Sequence, residues 1–178
     1  MDDIVRAAMA KWPTVPAVYG WLSLDARGDW HLQGQRLSHP GLLDFIGRNY
    51  QADADGAWHF QNGPQRVYVE CERAPLVARL GADGLCDQFG RPLGPLEAVY
   101  VDQTGDVWFA SAAGPASLDD RELAAWIEQL EGPALDEWLD QSEAAPRFCG
   151  LALQAAQVGE MPTVLGFIAV PCTSIHKK

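Results

Sequence analysis

Positive charge is scarce in this 178-residue chain: 13 lysines and arginines stand against 24 aspartates and glutamates, a formal net charge of −11 at pH 7. A field of that sign repels nucleic acid and anionic lipid unless a basic stripe reverses it locally, and the sequence has no such stripe. It also lacks any apolar run near the roughly 20 residues that cross a bilayer as a helix. Its start, Met1-Asp2-Asp3, carries acids where a secretory signal carries bases. These absences predict a cytoplasmic protein with neither nucleic-acid nor membrane partners. Cys71, Cys86, Cys149 and Cys172 form no Cys-x-x-Cys pair, so reduced, mostly buried thiols are expected, with no metal. Gly-x-x-x-x-Gly-Lys-Ser/Thr, Gly-x-Gly-x-x-Gly and Gly-x-Ser-x-Gly are all missing. Their absence removes the strongest nucleotide and hydrolase signals and leaves no cofactor to expect.

What is present is enough apolar material, 48% of residues, to bury a core at this length. The spacing of Val5, Ala8, Met9 and Trp12 predicts a short N-terminal helix ended by Pro13 and Pro16. Residues 19–32 read as a β-hairpin turning at Asp25-Ala-Arg-Gly28, and Ser38-His39-Pro40 as a helix start, with Leu43, Ile46 and Tyr50 on the buried side. A second hairpin follows from the turn Asp53-Ala-Asp-Gly56 through Trp58-His59-Phe60 to the strand Arg66–Glu72. There Val67, Val69 and Cys71 share one face, and Tyr68, Glu70 and Glu72 the other. A weaker hairpin spans residues 75–89.

The early pattern then returns: Ala98–Asp102, the turn Gln103-Thr-Gly-Asp106, and Val107-Trp108-Phe109 again set an Asp-x-x-Gly turn before a tryptophan-bearing strand. Ser117 is the expected cap of an acidic helix with Leu123, Trp126, Ile127 and Leu130 on one stripe. Between Ser117 and Glu143 there are nine acids and one base, Arg121, read as a solvated face. A second short helix, a strand from Phe148 to Gln157 and a strand from Thr163 to Val170, whose apolar run Val164–Val170 suits a central position, complete the reading. The fold class is α+β with a mainly antiparallel sheet. Residues 1–77 and 78–178 are read as two halves packed as one compact unit, with a hairpin-helix-hairpin order repeated in segments 19–72 and 97–170.

Several residues together are familiar: Gly28-x-Trp30-x-x-x-Gly34-x-x-Leu37, Leu43-x-Phe45, Asp55-Gly56-x-Trp58, Pro64-x-Arg66, and Val69-Glu70 leading to Pro75. Over about residues 19–77 this order resembles the bacterial domain-of-unknown-function 1285 family, and the rest of the chain matches in element order. The resemblance implies a two-part α+β fold with repeated motifs and a suggested part in signal transduction or ligand sensing. It brings no catalytic residues. Gly63-Pro64 replaces the family's Thr-Pro, and His39 stands where its members place a base.

One polar concentration reads as a site. Arg48 and Asn49 end a helix, and Asn62, Gln65 and Arg66 sit at the second hairpin, with no acid between Gly56 and Val69. Folded together, two guanidiniums and several amides suit a carboxylate or phosphate, and His39 at the helix start is counted with the candidate ligand-binding residues. The leading reading is a non-catalytic module that senses or binds a small anionic ligand or a protein partner. The alternatives are a small hydrolase acting through His39, Arg48, Asn62 and Arg66, and a structural homodimer.

Overall fold

The computed structural model describes residues 1–139 and 144–172. They form two units, Met1–Pro75 with Phe167–Lys178, and Leu76–Gly166. The first contains α1 (Asp3–Lys11), β1 (Val18–Leu24), β2 (Trp30–Leu32), β3 (Gln35–Arg36), α2 (Pro40–Arg48), β4 (Tyr50–Ala52), β5 (Trp58–Asn62) and β6 (Gln65–Cys71). Its sheet runs β3-β2-β1-β6-β5-β4. All neighbours are antiparallel except β1 and β6, which lie parallel.

One face of this sheet holds the unit's core. Leu22, Leu24, Trp30, Tyr50, Trp58, Phe60, Val69 and Cys71 are buried there. Tyr50 meets Trp30 edge-on at 5.1 Å and Trp58 at 4.8 Å between ring centroids. Helix α2 covers this face with Ile46 and with Phe45, which stands edge-on to Phe60 at 5.4 Å. His39 is the helix cap, its Nδ1 accepting from the Leu42 amide at 3.3 Å, and Pro40 occupies the first turn, where its missing N–H costs no bond.

The second unit contains β7 (Leu76–Gly81), β8 (Gly84–Cys86), β9 (Leu96–Asp102), β10 (Val107–Ser111), β11 (Gly114–Leu118), a 3-10 turn (Asp120–Glu122), α3 (Leu123–Ile127), α4 (Leu135–Leu139), β12 (Arg147–Phe148), β13 (Leu151–Ala156) and α5 (Met161–Val164). Its sheet runs β12-β13-β9-β10-β11-β7-β8, with β13 parallel to β9 and β11 parallel to β7. Strands β9 to β13 therefore share the connection order of β1 to β6. Two hairpins are followed by helix, and the last strand lies parallel beside the first. A single bridge from Glu131 to Arg147 stands where β4 pairs β5 in the first unit. The α+β class read from the sequence holds in both units.

Four turns of one design organise these strands, at Asp25, Asp53, Asp87 and Asp102. In each, the glycine three residues on donates to the aspartate carbonyl, and the aspartate amide donates to the carbonyl four residues on. One carboxylate oxygen then accepts from the amides two and four residues on, at 2.9–3.1 Å. The glycines sit at φ 82, 84, 76 and 84, left-handed values that a side chain would strain. The copy at Asp87 is hard to see in sequence, because Pro92 occupies the position held by Trp30, Trp58 and Val107 in the others.

Several expectations change. Ser117 is not a helix cap: it lies inside β11, buried, paired between β10 and β7, and its hydroxyl has no partner. Ladder bonds on both sides outweigh one cap. The turn begins instead at Asp119, whose carboxylate accepts from the Arg121 amide and side chain and from Arg79. Burial raises the pKa of Asp119, but these bonds outweigh it and hold the carboxyl at about 2. Residues 164–170 are not a central strand either. Pro162 sits in the first turn of α5 and Gly166 takes φ 69, so the run breaks. Only Ile168 bridges to Ala57, and the Ala169 carbonyl accepts from Cys71.

On α1 only Val5 is buried and Trp12 is 51% exposed. On α3 Trp126 is fully buried, while Ile127 lies 40% exposed. Cys71 is buried, Cys86 half-buried, and Cys149 and Cys172 exposed, all free thiols. Asp140 and Glu143, the last acids of the cluster, lie outside the described residues. Among the described residues no helix is long and apolar enough to cross a membrane.

Trp126 packs on Phe148 at 5.5 Å and Phe109 at 6.5 Å, so Trp126→Ala should cost about 3–5 kcal/mol in urea unfolding by the usual cavity arithmetic. A loss under about 1 kcal/mol would show that the indole is dispensable. Asp102 accepts from Thr104, Asp106 and the Trp108 indole, so Asp102→Ala should destabilise by about 3 kcal/mol, as losing more than one charged hydrogen bond does.

Candidate functional site

The face of the first sheet opposite its core is polar. Strand registry puts Gln51 beside His59 and His59 beside Tyr68, Gln61 beside Arg66, and Ser23 beside both Glu70 and His31. Alternation in β5 and β6 produces this directly, because residues that flank the inward Phe60, Val67 and Val69 must point the other way. His59, Gln61 and Tyr68 are nonetheless buried.

The N-terminal segment forms the other side of a cleft here. Helix α1 approaches the Asn62-Gly63 turn closely enough that a Cβ on Gly63 would lie 3.9 Å from that of Ala8. The following loop is tied down by Gln65, whose Nε2 donates to the Pro16 carbonyl at 3.3 Å. The cleft between them measures about 470 Å³ and is lined by Met9, Trp12, Pro13, Val15, Ala17, Tyr19, Gln61, Pro64, Arg66 and Tyr68. Tyr19 and Tyr68 stack at 4.7 Å with planes 4° apart. The Tyr68 hydroxyl donates to Asp53 Oδ2 at 2.8 Å, using the oxygen left over from that aspartate's turn.

The electrostatics of this cleft centre on Arg66. No carboxylate among the described residues forms an ion pair with it. Burial and the bond to Asp53 push the Tyr68 phenol up to about 12, against the opposing pull of Arg66. Burial also raises Tyr19. His59 moves the other way: burial, and next the positive charge of Arg66, bring it down to about 4. Its ring is therefore neutral at physiological pH. A larger cleft of about 730 Å³ in the second unit has Asp83 as its sole charged lining side chain among the described residues, so it offers an anion nothing. No group of three or more His, Cys, Asp or Glu side chains among the described residues converges as a metal site.

The residues singled out in sequence divide. Arg66 lines the cleft and Gln65 anchors its far wall, with Asn62 exposed beside them at the end of β5. Arg48 and Asn49 do hold a carboxylate, but it belongs to Asp2. Arg48 Nε lies 3.2 Å from both Asp2 oxygens, Asn49 Nδ2 lies 3.4 Å from one, and the Asp2 amide donates to Asn49 Oδ1 at 2.8 Å. Burial acts to raise the Asp2 pKa, yet the bonds from Asn49 and Arg48 outweigh it and lower the value. Asn49 also donates to the Phe45 carbonyl, closing the helix end. Arg48 and His39 are absent from the cleft lining. Gln61 belongs to the polar run read at the second hairpin, whereas Tyr19 and the N-terminal wall escaped the sequence reading, although the period of two in β6 already places Tyr68 on the side of Arg66.

The low pKa of His59 sets an acid limit on stability. In the unfolded chain the imidazole takes its proton near pH 6.5, and in the folded protein only near 4. Acid between these values therefore favours unfolding, and the stability present above pH 6.5 declines toward pH 4 by about 2–3 kcal/mol. In urea titrations at pH 7.5 and 4.5, His59→Gln should flatten this part of the decline. An unchanged pH dependence would refute the assignment.

No match is found among curated proteins. Among solved structures the chain is similar to a DUF1285 family protein from Silicibacter pomeroyi DSS-3, with 14% identity, 90% of this chain and 98% of that one covered, and a TM-score of 0.54. That likeness concerns the fold, and it agrees with the resemblance read from residues 19–77. A DUF1285 family protein from Shewanella baltica OS155 aligns at 15% identity over 61% of this chain and 91% of its own, with a TM-score of 0.46. A family profile covers nearly the whole sequence: the chain belongs to the family described as Protein of unknown function (DUF2946), matched over residues 1–172.

Proposed function

We propose that this chain is a non-catalytic cytoplasmic binding module, and that the Arg66 cleft of its first unit takes a small anion whose occupancy is read by a signalling or interaction partner. The observation that carries the reading is Arg66 itself. It is a guanidinium without an acidic partner among the described residues, set beside stacked tyrosines in a chain of net charge −11. Six other arginines, Arg6, Arg36, Arg48, Arg79, Arg91 and Arg121, pair with aspartates in this acidic protein, whereas Arg147, away from the cleft lining, donates to the Gly150 carbonyl.

Binding rather than hydrolysis is favoured by the groups around it. His59 is buried and neutral, and the two phenols are raised away from neutrality. None is poised as a base near pH 7. The common connection order of β1–β6 and β9–β13 supports an internal duplication in which the first copy keeps the cleft. Gln65, which ties the loop to the sheet through the Pro16 carbonyl, and Asn62, exposed at the turn beside it, belong to this proposal.

The test is a thermal-shift screen of organic and inorganic anions on the full chain, followed by Arg66→Lys and Arg66→Gln. An anion that raises the melting temperature should bind about tenfold more weakly to Arg66→Lys, because an ammonium cannot reproduce the fork, and should not bind Arg66→Gln. Arg36→Ala, remote from the cleft, should leave the response intact. If no anion shifts the transition, or if Arg66→Gln responds like wild type, the cleft is not an anion site.

A further inference from the structure

Resting on that reading, we infer that the ligand of the Arg66 cleft is a monocarboxylate with a flat apolar body, its carboxylate on the Arg66 fork and its body against Trp12. Arg66 is the sole cation among the lining residues, and the Asp53 carboxylate stands 2.8 Å behind the Tyr68 hydroxyl. Lys11 lies 4.6 Å from the centre of the Trp12 ring and does not line the cleft. A phosphate dianion would bring two charges to one guanidinium with a carboxylate nearby. A carboxylate brings one charge, and its two oxygens match the two parallel N–H groups of the fork.

The opposite wall is apolar. Met9, Trp12, Pro13, Val15 and Ala17 supply it, and Pro64 adds to the rim. Trp12 remains 51% exposed, although an indole is among the side chains that gain most from burial. A planar hydrocarbon body would cover that ring, and a phosphate would leave it wet. The volume of about 470 Å³ falls in the lower part of the range of small-molecule sites, roughly 300–1,000 Å³.

Isothermal titration of the full chain tests the ligand class, with phenylacetate, indole-3-acetate and hexanoate as carboxylates, phenylacetamide as the uncharged counterpart, and inorganic phosphate. Phenylacetate or indole-3-acetate should bind, more tightly than hexanoate, with phenylacetamide at least tenfold weaker. Arg66→Gln should abolish binding, and Trp12→Ser, which removes a half-exposed ring and so spares the fold, should weaken it at least fivefold. Phosphate binding that depends on Arg66 without carboxylate binding would overturn the ligand class and leave the anion site standing. Silence from every probe, with no anion active in the thermal screen, would overturn both. Equal affinity in wild type and Trp12→Ser, or for the flat and flexible acids, would remove the apolar body from the inference.

Discussion

An aspartate that uses one oxygen to accept from two backbone amides is the interaction on which both sheets of this protein depend. Each of the four Asp-x-x-Gly turns reverses the chain within five residues, so the segments on either side leave in a fixed register, two strands at Asp25, Asp53 and Asp102 and a strand with a single bridge at Asp87. The carboxylate satisfies amides that a turn otherwise leaves to water, and glycine takes the left-handed conformation without strain. Asp25 and Asp102 are pulled below the usual carboxylate range because these bonds outweigh partial burial. The second oxygen is then free for other work: it meets His31, Tyr68, Arg91 and the Trp108 indole in the four copies. Three of those partners lie four to six residues away. Tyr68 lies 15 away, and through it the Asp53 turn reaches the cleft.

Competition for arginine shapes the rest of the surface chemistry. With 24 acids in the chain, a guanidinium is readily claimed by a neighbouring carboxylate, and Arg48 is claimed by Asp2 from 46 positions earlier. That contact holds the start of α1 at the end of α2, and α1 with its loop forms the apolar wall of the cleft. An exposed ion pair contributes little stability by itself. Here it acts with the buried Asn49, whose amide bonds both Asp2 and the Phe45 carbonyl. The same residues that resemble an anion cradle in sequence thus serve as an internal clasp, and Arg66 is left as the guanidinium facing the cleft.

The sequence by itself determined the local events. Period-two alternation placed β1, β5, β6, β9 and β10, Asp-x-x-Gly marked three of the four principal turns, and His39-Pro40 marked the start of α2. These depend on neighbours within about six residues, which a linear reading contains. It also showed that Arg66 and its amide-rich surroundings were free of nearby acids. Tertiary structure alone decided where long-range partners intervened. The parallel pairing of β11 with β7 turned Ser117 from a cap into a buried strand residue, since hydrogen bonds on two sides outweigh one at a helix end. A bend at Gly166 broke an apolar run that looked like a central strand. Whether a guanidinium is paired with a carboxylate is likewise a matter of which distant acid arrives beside it: Asp2 reaches Arg48, and no described acid forms an ion pair with Arg66. Charge acts through space, so no spacing along the chain could distinguish the two.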